Sequence, residues 1–173
     1  MAEFKLDASS SECSARAGTI SINNKKINTP VFMPVGTYGA VKTLSPNEIS
    51  SIGYDLILAN TYHIYLRPGI DILKKSKGLH SFMNWDGLIL TDSGGFQIYS
   101  LKGLRKIQSD GAKFQSHLDG SMHKLTPENI IDIQRIIGSD IMMMLDVCPS
   151  GDESLKKWEE AVDLTSKWAN QAM

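Results

Sequence analysis

Cysteine is scarce in this chain: only Cys13 and Cys148 occur in 173 residues, far apart and with no CxxC or Cys/His cluster around either. That spacing leaves no zinc site within the chain and no disulfide framework, as expected for a protein of the reducing cytosol. Long apolar runs are absent too. None approaches the 18 residues of a membrane-spanning helix, so no membrane partner is expected. Residues 1–11 mix charged and polar side chains without the apolar stretch of a signal peptide. An excess of one charge is also missing. Eighteen Lys and Arg balance nineteen Asp and Glu, a formal net charge of −1, whereas a self-sufficient nucleic-acid-binding domain is more basic. RNA contact therefore requires a local patch or charge supplied from elsewhere. Low-complexity tracts, long linkers and sequence repeats do not occur.

What the chain does have is an ordinary globular composition, 42% hydrophobic and 21% charged, and an alternation of elements. Residues 31–36, 56–60, 88–92 and 141–146 are continuous apolar runs, the pattern of strands covered on both faces in a parallel sheet. Ser45-Pro46-Asn47-Glu48 predicts a capping box opening a helix that stops near Gly53. Residues 67–77 are expected to be helical, with Ile70, Leu73 and Lys74 on one face. Thr126-Pro127-Glu128-Asn129 repeats the start signal; Ile130, Ile133, Ile136 and Ile137 supply the stripe and Gly138 the stop. A last helix is expected from about Glu153 to the end, with Trp158, Val162, Thr165 and Trp168 in register. Asn23-Asn24 between alternating runs predicts a hairpin, and Asp119-Gly120 predicts another within residues 112–125. Strand–helix alternation points to an α/β fold with parallel strands.

The expected strands end in Gly36, Asn60, Asp92 and Asp146. Carboxyl ends of parallel strands are where α/β enzymes place their chemistry. Thr91-Asp92-Ser93-Gly94-Gly95-Phe96-Gln97 is the densest cluster of useful groups. A partly desolvated Asp92 suits proton transfer. Gly94 and Gly95 let backbone approach a ligand, Ser93 and the amides donate, Phe96 offers a flat face, and Gln97 an amide. The set fits a planar heterocycle better than a phosphate, since no GK[ST] follows. Asp, Ser and Gly also fill capping turns, so the motif alone leaves both readings open. Asp146 can accept two parallel N–H bonds such as the guanine edge presents, or can be a turn residue before Pro149. Asn60 and Thr61, in the expected loop after the second strand, can orient a carboxylate. Cys148 is either a pocket residue or a small core residue. His63 has no second ligand at metal spacing and reads as structural. Lys102, Arg105 and Lys106 form a basic group, as do Lys74, Lys75 and Lys77; solvated faces are the ordinary reading of both.

Five motifs then occur in order: Phe32-Met33-Pro34-Val35-Gly36-Thr37, Asn60-Thr61-Tyr62-His63 with Leu66-Arg67-Pro68-Gly69, residues 91–97, Ser116-His117-Leu118-Asp119-Gly120, and Gly138-Ser139-Asp140-Ile141. Together they resemble the first half of a bacterial tRNA-guanine transglycosylase, over essentially the whole chain from Phe4. The resemblance implies a (β/α)8 barrel with an amino-terminal antiparallel sheet. This chain, residues 1–173, would supply about four βα units and the amino-terminal hairpin. It implies exchange of the wobble guanine of certain tRNAs for a 7-deazaguanine on the route to queuosine, through a covalent aspartyl–RNA intermediate and with retention. It matches Asp92 to the general acid/base, Ser93, Gly94 and Gly95 to the base-binding turn, Phe96 to the stacking aromatic and Asp146 to the guanine reader. Cys148 matches a pocket position that favours 7-aminomethyl-7-deazaguanine over queuine. The base must be flipped out of the anticodon loop. The family's zinc, its nucleophilic aspartate and much of its RNA-binding surface belong to later segments, and its bacterial members are homodimers. Val147-Cys148-Pro149-Ser150 departs from the family's Glu-Cys-Thr-Pro. The sequence stops within a helical pattern, and half a barrel would leave open strand edges. Competing expectations are a non-catalytic partner subunit, or an unrelated barrel lyase or isomerase with a phosphate site on later strands.

Overall fold

The computed structural model describes residues 2–101 and 103–173; Lys102 of the first basic group lies outside them. Strand β1 (Glu3–Ser9) pairs antiparallel with β2 (Arg16–Ile22), and β2 with β3 (Lys25–Thr29). Asn23 and Asn24 turn the second hairpin at φ +50° and +65°, the left-handed pair that a two-residue turn requires. The sheet buries Ile22 and Ile27 against Leu56 and Leu88.

Those two leucines open the central sheet. The helix α1 (Pro46–Ser51), with its Ser45–Glu48 capping box as expected, leads into β4 (Leu56–Ala59). Directly after Asn60 comes α2 (Thr61–Ile64), then a π-turn (Tyr65–Gly69), α3 (Ile70–Lys75) and α4 (Leu79–Met83). This corrects the expected loop at residues 60–66: Thr61 already begins a helix. Arg67 leaves helical geometry at φ −155°, ψ 120°, as a residue preceding proline is driven to do. The helix α4 was not legible beforehand. It is a short element between Gly78 and a left-handed Asn84.

Strand β5 (Leu88–Thr91) runs parallel to β4, with Leu56 opposite Leu88 and Ala59 opposite Thr91. After α5 (Gly95–Ser100) the chain forms an antiparallel sheet of β6 (Arg105–Gln108), β7 (Gly111–Gln115) and β8 (Met122–Leu125). The expected hairpin is there, with β6 as an unforeseen third strand. The helix α6 (Pro127–Ile137) then leads to β9 (Ile141–Met142), parallel to β5, and α7 (Leu155–Ala172) follows.

The central sheet has the order β4-β5-β9. Side chains alternate across it: Ile57, Ala59 and Ile89 join the core under the helices, while Leu56, Leu88 and Leu90 face the amino-terminal sheet. That two-sided burial explains the continuous apolar runs. Two of the expected strands shrink. Residues 31–36 make only one parallel bridge, Val35 to Leu58, through Leu58 N–H to Pro34 O and Gly36 N–H to Leu58 O; Pro34 has no N–H with which to extend a ladder. The fourth is regular only over Ile141–Met142. On α7 the expected stripe also shifts: Trp168 and Ala161 are buried, while Trp158 and Val162 are exposed.

Asp140, at the start of β9, ties the layers together. One oxygen accepts from Ile89 N–H (2.9 Å) and lies 3.1 Å from His80 Nε2; the other accepts from Asn23 Nδ2 (2.8 Å) on the hairpin turn. Burial pushes its carboxyl upward, but these partners outweigh it and hold it below the ordinary value. With a depressed folded value, its contribution is full above the ordinary carboxyl range and is lost as pH falls through that range. Asp140→Ala strands the buried Ile89 N–H and releases His80 and Asn23 from the layer junction, and is expected to cost about 2 kcal/mol in a urea melt at neutral pH. The difference from the parent shrinks towards low pH; a variant as stable as the parent at neutral pH would contradict the lock.

Candidate active site

The polar residues that close β4 and β5 meet each other. Asp92 Oδ1 accepts from the Thr61 backbone N–H (2.9 Å), and Oδ2 from Asn60 Nδ2 (2.5 Å) and Gln97 Nε2 (3.1 Å). Thr61 Oγ1 donates to the Asp92 carbonyl (2.5 Å). The start of α2, one strand away, thus clamps the carboxylate from both sides, as expected for Asn60 and Thr61.

Beyond Asp92 the chain turns sharply. Gly94 sits at φ +80° against Tyr62, where a Cβ would come within 3.0 Å of the Tyr62 Cβ. Ser93 Oγ donates to Asp146 Oδ1 (2.6 Å) and accepts from Gly95 N–H (3.1 Å). Gly94 is the N-cap of α5, and the turn places Asp92 and Asp146 beside one another, with Ser93 bonded to Asp146. A cavity of about 340 Å³ lies there, lined by residues 92–97 together with Met143, Met144, Asp146 and Thr165. Phe96, 63% exposed, stands at its rim.

Cys148 lines a cavity together with Asp146, as expected, though not the one lined by Phe96. It lines a smaller adjoining cavity of about 130 Å³ with Tyr99, Arg105 and Glu153, sharing Gly95 and Asp146 with the larger one. The turn after Asp146, through Val147 to Pro149, carries it past the carboxylate. Burial and the charge of Asp146 push its thiol upward, against the pull of Arg105, so the thiol is the resting form and Cys148 is no ready nucleophile. His63 is half-buried beside Tyr38, Tyr62 and His117. Burial and His117 lower its pKa, against the pull of Asp92. Among the described residues, no three His, Cys, Asp or Glu side chains stand together as a metal site.

Sequence reasoning missed Gln134. It is fully buried, and its amide mimics a strand: Oε1 accepts from Met143 N–H (3.1 Å) and Nε2 donates to Met143 O (2.9 Å). Thr91 Oγ1 donates to the same Oε1 (2.6 Å). This side chain reinforces the last backbone bond to β5, Met143 N–H to Thr91 O (3.1 Å), at the start of the segment that leads to Asp146. The available signal was a glutamine within the apolar stripe of α6. Gln134→Leu keeps the volume but takes the donor from the Met143 carbonyl, while the Met143 N–H keeps the Thr91 carbonyl. It is expected to cost about 2 kcal/mol of stability in a urea melt. A variant as stable as the parent would remove Gln134 from this role.

The family model for queuine tRNA-ribosyltransferase matches residues 10–173. The chain is 52% identical over 158 residues to the queuine tRNA-ribosyltransferase of Leptospira biflexa serovar Patoc, covering 91% of this chain and 43% of that relative. It is 50% identical over 169 residues to that of Thermoanaerobacter pseudethanolicus (98% and 45%), and 49% over 170 residues to one from Dehalococcoides mccartyi (98% and 43%). The chain therefore spans less than half the length of these curated relatives. The two clamped carboxylates and the glycine turn between them lie within the matched region, and the chain belongs to the queuine tRNA-ribosyltransferase family.

Proposed function

We propose that this chain works as the amino-terminal portion of a tRNA-guanine transglycosylase, carrying its base pocket and general acid/base. The observation that supports this best is the pair Asp92 and Asp146. They follow the neighbouring parallel strands β5 and β9 and line one cavity, Asp92 held by three donors and Asp146 by Ser93. In this reading residues 31–36, β4, β5 and β9 are the first four strands of a (β/α)8 barrel, and the amino-terminal sheet closes its far end.

A flipped guanine enters between Phe96 and the Met143–Met144 side, and Phe96 stacks on its face. Asp146 accepts two N–H bonds from the Watson–Crick edge. Asp92, oriented by Asn60, Thr61 and Gln97, transfers the proton that leaves or joins the base as the glycosidic bond breaks and reforms. The nucleophile that holds the ribose comes from outside this chain, as does the charge that holds most of the tRNA. Cys148, in the cavity beside Asp146, limits the 7-substituent to a small group such as aminomethyl. Cys13 and Cys148 lie in separate loops, and no three metal-ligating side chains stand together among the described residues; in this reading other residues hold the family's zinc. The full-length enzyme is a cytoplasmic homodimer in this reading.

The test is incorporation of labelled guanine into tRNA. The full-length enzyme should exchange the wobble base, and the 173-residue chain alone should exchange nothing. Turnover by the isolated chain, or none by the full-length enzyme, overturns the reading.

A further inference from the structure

The sheet β6-β7-β8 has two unlike faces. Its inner face carries Ala112 and Phe114, both buried, and Arg105, Ile107 and Ala112 wall the small cavity that contains Asp146 and Cys148. Its outer face carries a row of lysines. Lys106 stands opposite Lys113 across β6 and β7, and Lys113 opposite Lys124 across β7 and β8. Residues directly opposite in antiparallel strands project from the same face, and like charges there destabilise the sheet. Lys124 is paired with Asp110 (2.5 Å). Lys106 and Lys113 are exposed, and neither makes an ion pair with a described carboxylate. The patch thus carries a net +2, three lysines less Asp110, on a chain whose total is −1. The next row on this face is Leu104, Gln115 and Met122, aligned by Gln115 opposite Met122 and by Gln115 N–H to Leu104 O. Lysines and this row line a shallow groove of about 300 Å³.

We propose that this face is a contact surface for the phosphate backbone of the tRNA whose base occupies the pocket, an inference that rests on the function proposed above. Three lysines abreast incur a repulsion that a polyanion offsets. The groove lies across this one sheet from the cavity holding Asp146, and Arg105 lines both. A loop that inserts one base there carries its flanking phosphates over this rim. The exposed Leu104 and Met122 give sugars and bases an apolar surface beside the charges. Each phosphate neutralised by a lysine releases counterions and adds about 0.7 to 0.9 to the slope of log K against log salt.

The test uses the full-length enzyme and a labelled anticodon stem-loop, with binding measured by fluorescence anisotropy from 50 to 200 mM salt. The double variant Lys106→Gln with Lys113→Gln is expected to reduce the salt slope by about 1.5 and weaken binding about tenfold at the low-salt end. Guanine affinity should be unchanged and the Tm no lower, since the substitution relieves repulsion. Lys106→Arg with Lys113→Arg should restore the slope. A Gln variant with the parental slope overturns the surface, including when it loses an acidic protein partner instead, and leaves guanine exchange and the functional reading intact. A parent enzyme with the full salt slope that exchanges no base overturns the functional reading and leaves the surface standing.

Discussion

Asp92→Ala in the full-length enzyme is expected to lower base exchange by about 10²- to 10⁴-fold, the range a positioned proton-transfer group contributes. The geometry makes this a sharp expectation. Asp92 alone receives the three donors from Asn60, Thr61 and Gln97, and no other described carboxylate has that set. The loss should appear in the exchange step itself. Stem-loop affinity and guanine affinity should stay within a factor of a few, because Asp146 and the lysine face are untouched. The cleanest measurement is single-turnover incorporation of labelled guanine, with binding measured separately. Incorporation at the parental rate would remove Asp92 from the chemistry. Loss of rate together with loss of both affinities would instead mark the Asn60–Asp92 clamp as structural.

Much of this arrangement was legible from residue order. The capping boxes at Ser45 and Thr126, the Asn23-Asn24 turn and the Gly138 stop depend on neighbours within a few positions, and all formed where the sequence placed them. One detail differs: at Thr126 the reciprocal partner is Asn129, not an acidic residue. The strand cores of β4 and β5 were legible because burial on both faces removes polar residues from the run. Strand extent was not, because a ladder depends on its partner. Residues 31–36 pair only through Val35, and Met143 is held by the side chain of Gln134. The exposed Trp158 and Val162 show the same limit, since a helical stripe states what can be buried and not what covers it. At the site, Asn60 and Asp92 were legible because each directly follows a buried strand, and Thr61 because it adjoins Asn60. Cys148 shares Asp146 but not the cavity lined by Phe96, and that separation is set by a turn whose path no local signal encodes.

Gly95→Ala is expected to be as damaging to base recognition as Asp92→Ala is to chemistry, although a methyl group is its only addition. A Cβ at Gly95 would lie 2.1 Å from Asp146 Oδ1 and 2.7 Å from the Asp146 carbonyl oxygen. Such an overlap must be relieved by moving the carboxylate, the backbone of the strand end, or both. Either movement breaks the 2.6 Å bond from Ser93 and takes the oxygens proposed to read guanine out of register. A charge-assisted hydrogen bond from the base to Asp146 contributes about 1.5 to 3 kcal/mol, so losing it should raise the KM for guanine by about 10- to 100-fold. Overpacking adds about 1 to 3 kcal/mol of lost stability. Ser93→Ala separates the two effects. It removes the orienting hydroxyl without adding volume, so it should raise the same KM only about fivefold and leave the melting temperature near the parent's. If Gly95→Ala bound guanine as the parent does, Asp146 would not be the group that reads the base. The glycine would then serve only the start of α5.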